Sequence, residues 1–202
     1  MSVIYLASTS RWRASLLRNC GLRVQTISPQ IDEKSIIGDS PIDTAILRAH
    51  AKGKSVLDQV SSDAIVISAD QVVYIDGEIF GKPKDPNTWL ARLKKFQGRG
   101  HQLTTAVSLF VANKEITFQE HSTVFFHEQA SAEELLDYIQ DGEAQGCAGG
   151  YMVEQKGAWL IERVEGDWLN VIGLPIFAIL RQLRELGWCG SDCFGQGGED
   201  GV

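Results

Sequence analysis

The stretch VIYLASTSRWRASLL, residues 3–17, joins a short apolar run directly to a turn of hydroxyl residues and then to a helical pattern. The run 3–7 predicts a buried strand, and residues 8–10 are of the types that favour the N-cap of a helix. Apolar side chains then recur at helical spacing until Gly21, a residue type that favours helix termination. We therefore predict a strand, a hydroxyl-rich turn and a helix in immediate succession.

Strands and helices continue to alternate along the chain. Helices are predicted where capping residues precede apolar residues at helical spacing, and strands where apolar or alternating runs lie between turn residues. The further predicted helices cover 40–57, 86–97, 131–142 and 174–186. The further predicted strands cover 64–68, 103–111 and 115–126, together with hairpins over 71–80 and 151–163. This order indicates a mixed α/β protein rather than a purely parallel sheet.

Composition is that of a single globular domain. The chain has 202 residues, of which 44% are hydrophobic and 22% charged, so it is too apolar to be disordered as a whole. We expect residues 1–187 to form one domain. The glycine-rich, acidic segment 188–202 is expected to be a disordered tail.

The charge balance argues against a nucleic-acid or membrane partner. The formal net charge is −7, so any polyanion site has to be a local basic pocket, which suits a small phosphorylated ligand better than a duplex. No apolar run is long enough to span a bilayer, and the first residues lack the pattern of a signal peptide. The irregularly spaced cysteines are expected to be reduced thiols of a cytoplasmic protein: Cys20, Cys147, Cys189 and Cys193.

Metal-ligand and nucleophile patterns are weak. Cys189 and Cys193 form a C-x3-C pair without the further ligands that a zinc site needs. The histidines show neither ligand spacing nor a nucleophile partner, so we expect them to be structural or exposed: His50, His101, His121 and His127. A covalent hydrolase is therefore not indicated.

The turn after the first strand is the first candidate phosphate site. A helix N-terminus offers free N–H groups and the positive end of the helix dipole, both of which favour phosphate. Ser8 lies in this turn, and Arg13 adds a planar fork that binds two phosphate oxygens at once. Taken alone, the same residues also fit an ordinary capped helix with solvent-facing arginines.

Two further polar groups follow apolar strands. Asp70 is predicted to emerge from the end of the strand 64–68, a position where active-site carboxylates are common, and it can hold Mg²⁺ or orient a water. A turn-capping aspartate is the alternative. Lys82 in Gly-Lys-Pro supplies a point charge for phosphate, although this tripeptide is not a Walker motif.

Two other charged positions have a plain and a functional interpretation. Glu33 lies in a predicted loop and is either a metal ligand or a solvated turn residue. Lys52 lies on a predicted helix and is either a surface lysine or a phosphate contact.

The order of these motifs resembles the Maf family of nucleoside triphosphate pyrophosphatases. The resemblance extends from about Val3 to Gly187 and rests on shared order, because each motif is weak by itself. In sequence order the motifs are ASTSRWRASLL (7–17), DE (32–33), AHAK (49–52), ADQVV (69–73), GKP (81–83), GRGHQLTT (98–105), AGGY (148–151) and NVIGLP (170–175).

The resemblance implies a fold and an activity. The implied fold is inosine-triphosphatase-like (Maf/Ham1-type), a mixed α/β sheet with helices and two lobes around a central cleft. The implied reaction cleaves a nucleoside triphosphate between the α- and β-phosphates with a divalent cation, Mg²⁺ or Mn²⁺, and the family suggests a homodimer. The phosphate-contacting positions correspond to Ser8, Arg13, Lys52 and Lys82. Asp70 corresponds to the catalytic proton acceptor and, with Glu33, to the metal site.

Three positions are candidates for contacts with the base of the nucleotide. Members that prefer dTTP and UTP usually carry arginine, threonine and glutamine where this chain has Trp12, Gln71 and Glu154, and these three resemble the branch that hydrolyses 7-methyl-GTP. N7-methylation gives guanine a positive charge that suits the face of tryptophan, and a carboxylate accepts the N–H donors of guanine. The alternatives are that Trp12 is a core residue and Glu154 a solvent-facing strand residue.

Two departures from the family pattern and two other functions remain open. Arg11 replaces the usual proline, which either loosens the turn or adds a phosphate contact, and Gly146-Cys147 replaces Asp-Lys, as in the 7-methyl-GTP branch. The alternative functions are a dTTP/UTP pyrophosphatase and a nucleotide-binding regulator of cell division with little activity. Retention of Asp70 with both lysines favours an enzyme, since binding alone does not need the carboxylate.

Overall fold

A mixed β-sheet runs through the protein. The structure, a computed structural model, describes residues 3–112 and 114–192, and within them seven strands hydrogen-bond into one sheet. The strands are β1 (Ile4–Ala7), β2 (Val24–Ile27), β3 (Ile65–Ile75), β4 (Glu78–Phe80), β5 (Gly100–Val111), β6 (Lys114–Phe126) and β7 (Ile161–Gly166). The helices are α1 (Arg11–Asn19), α2 (Pro41–Lys54), α3 (Pro86–Phe96), α4 (Ala132–Asp141), α5 (Trp168–Ile172) and α6 (Ile176–Glu185). β1 is parallel to β2 and β3 and the other pairs are antiparallel, so the predicted mixed α/β class is confirmed.

The strand order leaves a gap along one edge of β3. β5 pairs with nearly the whole length of β3, so β1 and β4 both lie along its other edge. β1 pairs with residues 65–67 and β4 with residues 73–75, at opposite ends of that edge. Within the described part of the chain, residues 68–72 have no strand partner on this side. The C-terminal ends of β1 and β4 therefore face each other across a cleft.

Alternating side chains along β3 contribute to two hydrophobic cores on one face of the sheet. Residues 65, 67 and 69 belong to a core with α1 and α6, whereas Val73 and Ile75 belong to a second core with α3 and α4. α2 covers the opposite face, where Ala49 packs in a small cluster with Val72. The two cores meet at the gap in β3, which gives the expected two lobes around a central cleft.

The N-terminal prediction is confirmed and fixes one wall of this cleft. β1 leads directly into α1, whose N-cap is Ser10, and the Ser10 hydroxyl accepts from the Arg13 N–H at 3.4 Å. Because the strand is buried and the turn is only three residues long, the N-terminus of α1 has to start at the edge of β3.

The strand predictions around Asp70 need correction. β3 is one uninterrupted strand from Ile65 to Ile75, because β5 pairs with it in register on both sides of Asp70 and supplies ladder hydrogen bonds throughout. Asp70 therefore lies in mid-strand and not at a strand end. The turn at Asp76-Gly77 is confirmed, with positive φ values of 52° and 80°, as two-residue hairpin turns require.

The hairpin predicted over 151–163 is wrong. Residues Lys156–Leu160 form a short 3-10 helix, and only the segment from Ile161 onward is a strand. Gly149 and Gly150 adopt positive φ values of 84° and 80°, which interrupt an extended chain, and Trp89 Nε1 donates to the Gly150 carbonyl at 2.6 Å. The short elements β2 and α5 were not predicted, since four or five residues carry little periodic signal.

The end of the chain is described only in part. Trp188 packs against the core that contains α1 and α6, and Gly190–Asp192 forms a 3-10 turn. Residues 193–202, most of the predicted tail, lie outside the described residues. Among the residues that are described, no helix is long and apolar enough to cross a membrane.

Candidate active site

A buried lysine and two carboxylates form the centre of the candidate site. Asp70 projects from β3 toward α2, where Lys52 Nζ lies 2.7 Å from Asp70 Oδ1 and 2.9 Å from Glu33 Oε2. Lys52 and Asp70 are each only 5% exposed. Buried charges of this kind need partners because desolvation is costly. The three predicted residues are therefore brought into direct contact, although they come from a loop, a helix and a strand.

One oxygen of this carboxylate remains unused. Asp70 Oδ2 is buried and lacks a hydrogen-bond partner among the described residues, and Arg48 Nη1 lies 3.9 Å from it. A buried carboxylate oxygen without a donor is costly unless a ligand completes it. Asp70 can therefore accept a hydrogen bond from water or coordinate a cation at Oδ2.

Arg48 was not among the predicted site residues. It lies four positions before Lys52 on α2, so both side chains share one face of the helix, and this spacing is the signal that could have revealed it. Arg48 Nε also donates to the Ile36 carbonyl at 3.0 Å. This bond ties the loop that carries Glu33 to α2 beside Asp70.

Arg13 is built into the wall of the cleft. Its Nη1 donates to the Ala69 carbonyl at 2.6 Å, at the open edge of β3, and its Nε donates to the Gly173 carbonyl at 3.0 Å. Burial lowers the pKa of Arg13, and the negative charges of Asp70 and Glu33 oppose that shift. The interpretation of Arg13 as a solvent-facing arginine is therefore wrong, because its guanidinium is held by two backbone carbonyls and feels the charges of both carboxylates.

Ser8 lies at the exit of β1 and is buried. Its hydroxyl oxygen accepts from the Ser10 N–H at 3.1 Å, which orders the turn that leads into α1. Ser8 thus lies in the turn that directly follows β1, as the sequence predicted, and the structure places that turn at the gap in β3.

Lys82 and Glu154 belong to a second group, on the wall formed by the end of β4. The pKa of Cys147 is raised, first by burial and then by the charge of Glu154, whereas the nearby charge of Lys82 lowers it. Lys82 is exposed and has no salt bridge within the described residues, so its ammonium is available to a ligand. Partial burial also raises the pKa of Glu154, with Glu143 adding to the effect. Glu154 as a whole residue is exposed, as the alternative assumed, but it lies in a turn and not in a strand.

Gln71 lies between the two lobes on the other face of β3. Its Nε2 donates to Thr105 Oγ1 at 3.1 Å and to the Asn170 carbonyl at 2.6 Å. A backbone carbonyl only accepts hydrogen bonds, so the atom facing it has to be the amide nitrogen. Both amide hydrogens are therefore used inside the protein, and Oε1 is the atom left for a ligand.

Trp12 is exposed at the start of α1, with 38% of its surface accessible. The interpretation of Trp12 as a core residue is therefore wrong. The guanidinium carbon of Arg11 lies 4.7 Å from its ring centroid, a normal cation–π distance. The face of Trp12 thus already contacts a cation, the guanidinium of Arg11.

The motif NVIGLP acquires a structural role that the sequence did not reveal. The carbonyl of Asn170 accepts from Gln71, and the carbonyl of Gly173 accepts from Arg13. One short segment at α5 therefore orients two candidate site residues through its backbone. Every residue type has a backbone carbonyl, so the sequence does not reveal such a contact.

The histidines are structural, as expected. His101 is fully buried, stacks on Phe96 with ring centroids 3.9 Å apart and bonds the Tyr151 hydroxyl at 2.7 Å. Burial lowers the pKa of His101 to about 3, so it stays neutral. His50 pairs with the exposed Glu115 instead of contacting the carboxylates.

Comparisons with known proteins identify a family and several relatives. A family model described as Maf-like protein matches residues 3–186. The dTTP/UTP pyrophosphatase of Geobacillus sp. (strain WCH70) is 37% identical over 188 residues, which cover 93% of this chain and 100% of that protein. The 7-methyl-GTP pyrophosphatase of Rhizobium meliloti (strain 1021) is 35% identical over 194 residues, covering 92% and 96%. Among solved structures, the Staphylococcus aureus Ham1 protein has a TM-score of 0.44 at 16% identity over 64% of this chain and 74% of that chain, a likeness that concerns the fold alone.

Proposed function

The chain belongs to the Maf family, and on this basis we propose that it hydrolyses a nucleoside triphosphate to a nucleoside monophosphate and pyrophosphate. The observation that carries the proposal is the convergence of Arg13, Lys52 and Asp70 at the gap in β3. Two cations there suit a polyphosphate, and a buried carboxylate with one free oxygen suits the activation of water.

The chain's own residues account for the reaction. Asp70 Oδ2 accepts a hydrogen bond from the attacking water and orients it toward the α-phosphate, as the family's proton acceptor does. Arg13 and Lys52 bind the phosphates on one wall, and Lys82 approaches from the other wall. Their positive charges stabilise the negative charge that builds up on pyrophosphate as it leaves.

We also propose that Asp70 and Glu33 hold a divalent cation, Mg²⁺ or Mn²⁺. Each carboxylate has one oxygen on the Lys52 ammonium; the other Asp70 oxygen has no partner among the described residues and has two lone pairs, so it can face a cation as well as the attacking water. Mg²⁺ is commonly bound by one or two carboxylates together with substrate phosphates. The cation would neutralise the triphosphate.

Metal removal should stop the reaction. We expect excess chelator to abolish pyrophosphate release and excess Mg²⁺ or Mn²⁺ to restore it.

Glu33→Gln should weaken Mn²⁺ binding by about tenfold, since one of two carboxylate ligands is lost. The electron paramagnetic resonance signal of free Mn²⁺, titrated with protein and a non-hydrolysable nucleotide, measures this directly. Glu165→Gln on β7, an exposed carboxylate paired with Arg163, is the matched control and should bind Mn²⁺ like the parent. Equal Mn²⁺ affinity in the two variants would contradict a role for Glu33.

We propose 7-methyl-GTP as the preferred substrate. Trp12 exposes a ring face that already accepts the guanidinium of Arg11, so it suits the cationic ring of 7-methylguanine. Gln71 offers only an acceptor, and Glu154 is a carboxylate; both suit the N1–H and N2–H donors of guanine. Thymine and uracil present two carbonyl oxygens beside a single N–H, for which these groups are poor partners.

A dTTP/UTP pyrophosphatase is the second candidate. It is favoured by the names of relatives such as those of Geobacillus and Aquifex aeolicus, each 37% identical to this chain. The three base-facing residues argue against it. A homodimer and a cytoplasmic location remain predictions.

A substrate panel separates these functions. We expect pyrophosphate release with Mg²⁺ to be faster in kcat/KM for 7-methyl-GTP than for GTP, dTTP or UTP, by about 100-fold or about 2.7 kcal/mol. A preference for dTTP and UTP would reject the methylguanine assignment while retaining the enzyme. Tight nucleotide binding without release of pyrophosphate would reject the enzyme and favour a nucleotide-binding regulator.

A further inference from the structure

We propose that Thr105 and the carbonyl of Asn170 determine base selectivity by fixing the side-chain amide of Gln71 in one orientation. The proposal rests on the proposed function, in which Gln71 contacts the base. Thr105 and Asn170 act through Gln71 and are therefore positioning residues.

The contacts come from two different parts of the fold. Thr105 is the direct cross-strand partner of Gln71 on β5, and its hydroxyl oxygen accepts at 3.1 Å. The Asn170 carbonyl on α5 accepts at 2.6 Å. Thr105 and Asn170 are fully buried, so water does not compete for either acceptor.

The carbonyl and the hydroxyl make different contributions. A glutamine amide can rotate by 180° and exchange its oxygen with its nitrogen at little intrinsic cost. In the rotated state, Oε1 of Gln71 would face the Asn170 carbonyl, two acceptors at 2.6 Å without a hydrogen between them. The threonine hydroxyl occupies the second N–H and keeps it from turning toward a ligand.

Asn170 is itself held in place. Its Nδ2 donates to Ser122 Oγ at 2.9 Å and lies 3.4 Å from the carbonyls of Leu103 and Glu120. These contacts anchor α5 to β5 and β6, so the Asn170 carbonyl is a fixed point. A rigid carbonyl is what an orientation lock requires, because a mobile acceptor would follow the amide as it rotates.

The consequence is selectivity by hydrogen-bond type. With both N–H groups used, Gln71 can only accept a hydrogen bond, so it favours binding of a base that brings donors. A carbonyl of thymine or uracil would find no donor on Gln71 and would stay unpaired. The same glutamine without the lock would present either end and accept both kinds of base.

A pair of threonine variants tests this orientation lock, meaning the two hydrogen bonds from Gln71 Nε2 to Thr105 and to the Asn170 carbonyl. Thr105→Val keeps the shape and removes the acceptor, whereas Thr105→Ser keeps the acceptor. We expect Thr105→Val to lower the ratio of kcat/KM for 7-methyl-GTP over dTTP by about tenfold, and Thr105→Ser to keep it within about twofold. Ribose 5-triphosphate, which has no base, should be hydrolysed equally by both variants. An unchanged ratio in Thr105→Val, or an equal loss on all three substrates, would overturn the proposal.

Failure of the lock and failure of the base contact are distinguishable. Gln71→Met removes the amide at similar size, so it has to change the base ratio if Gln71 reads the base at all. If Gln71→Met leaves the ratio unchanged, the base contact itself is wrong. If Gln71→Met changes the ratio and Thr105→Val does not, Thr105 does not position the amide, and the proposal is wrong although the base contact stands.

A measurement on the unmodified protein makes the test independent of the stability of any variant. Two hydrogen-bonded side-chain protons in a partly buried amide should exchange slowly with solvent, which the nitrogen-correlated NMR signals of the Gln71 amide measure. Fast exchange of these protons in the nucleotide-free protein would overturn the proposal.

Discussion

Asp70→Asn should lower kcat for pyrophosphate release by about a thousandfold or more, while nucleotide affinity changes by only a few-fold. Asparagine keeps the size of the side chain but is not a base and is a weaker cation ligand. Lys52 keeps its contact with Glu33 at 2.9 Å, so the phosphate wall stays in place. Rapid-quench measurement of pyrophosphate, together with calorimetric titration of a non-hydrolysable nucleotide, separates turnover from binding.

A carboxylate on the same strand and turn provides the matched control. Asp76 follows β3 in the hairpin turn, is exposed and pairs with Arg99 at 2.7 Å. Its φ of 52° is a conformation that asparagine adopts readily, so Asp76→Asn should fold normally and keep full activity. Substantial residual turnover in Asp70→Asn would contradict the assignment of Asp70 as the proton acceptor.

Replacing two of the proposed base-contact residues together should reverse the base preference. We expect Trp12→Arg with Glu154→Gln to shift the ratio of kcat/KM for 7-methyl-GTP over dTTP or UTP by about a thousandfold toward the pyrimidines, or about 4 kcal/mol. The change removes the ring face that attracts a cation and converts an acceptor into a group that also donates. Initial rates with 7-methyl-GTP, dTTP and UTP provide the ratio.

The control for this pair uses the same substitutions elsewhere. Trp159 is 87% exposed and Glu165 lies on β7, so Trp159→Arg with Glu165→Gln alters charge equally without touching the cleft. This control should retain the parental preference. If the preference of Trp12→Arg with Glu154→Gln stays at the parental value, these two positions do not contact the base.

The sequence places the candidate phosphate residues at the ends of elements because of their local context. Ser8 and Arg13 lie beside a strand-to-helix junction with strong capping signals, and Lys82 lies just after a hairpin whose turn residues are equally clear. Such signals depend on residues that are close together in the chain. They place a residue at an element end but do not say what it faces.

Arg48 and the segment at α5 illustrate what the sequence did not predict. Arg48 approaches Asp70 only because α2 lies across β3, and the α5 carbonyls reach Arg13 and Gln71 only after the chain has returned to the cleft. Residues 151–153 were misassigned for a related reason: they are a buried apolar run, which resembles a buried strand in sequence, but the fold places them outside the sheet.

The turn and helix that follow residues 3–7 were determined by the sequence alone, because capping and hydrophobic periodicity act over a few residues. The tertiary structure decided what that turn faces. β1 and β4 pair with opposite ends of one edge of β3, which leaves Asp70 in a mid-strand gap. The tertiary structure also decided that Lys52 on α2 neutralises this carboxylate and that Gln71 leaves its amide oxygen for a ligand. These outcomes depend on contacts between residues up to 99 positions apart, which only packing of the whole sheet brings together.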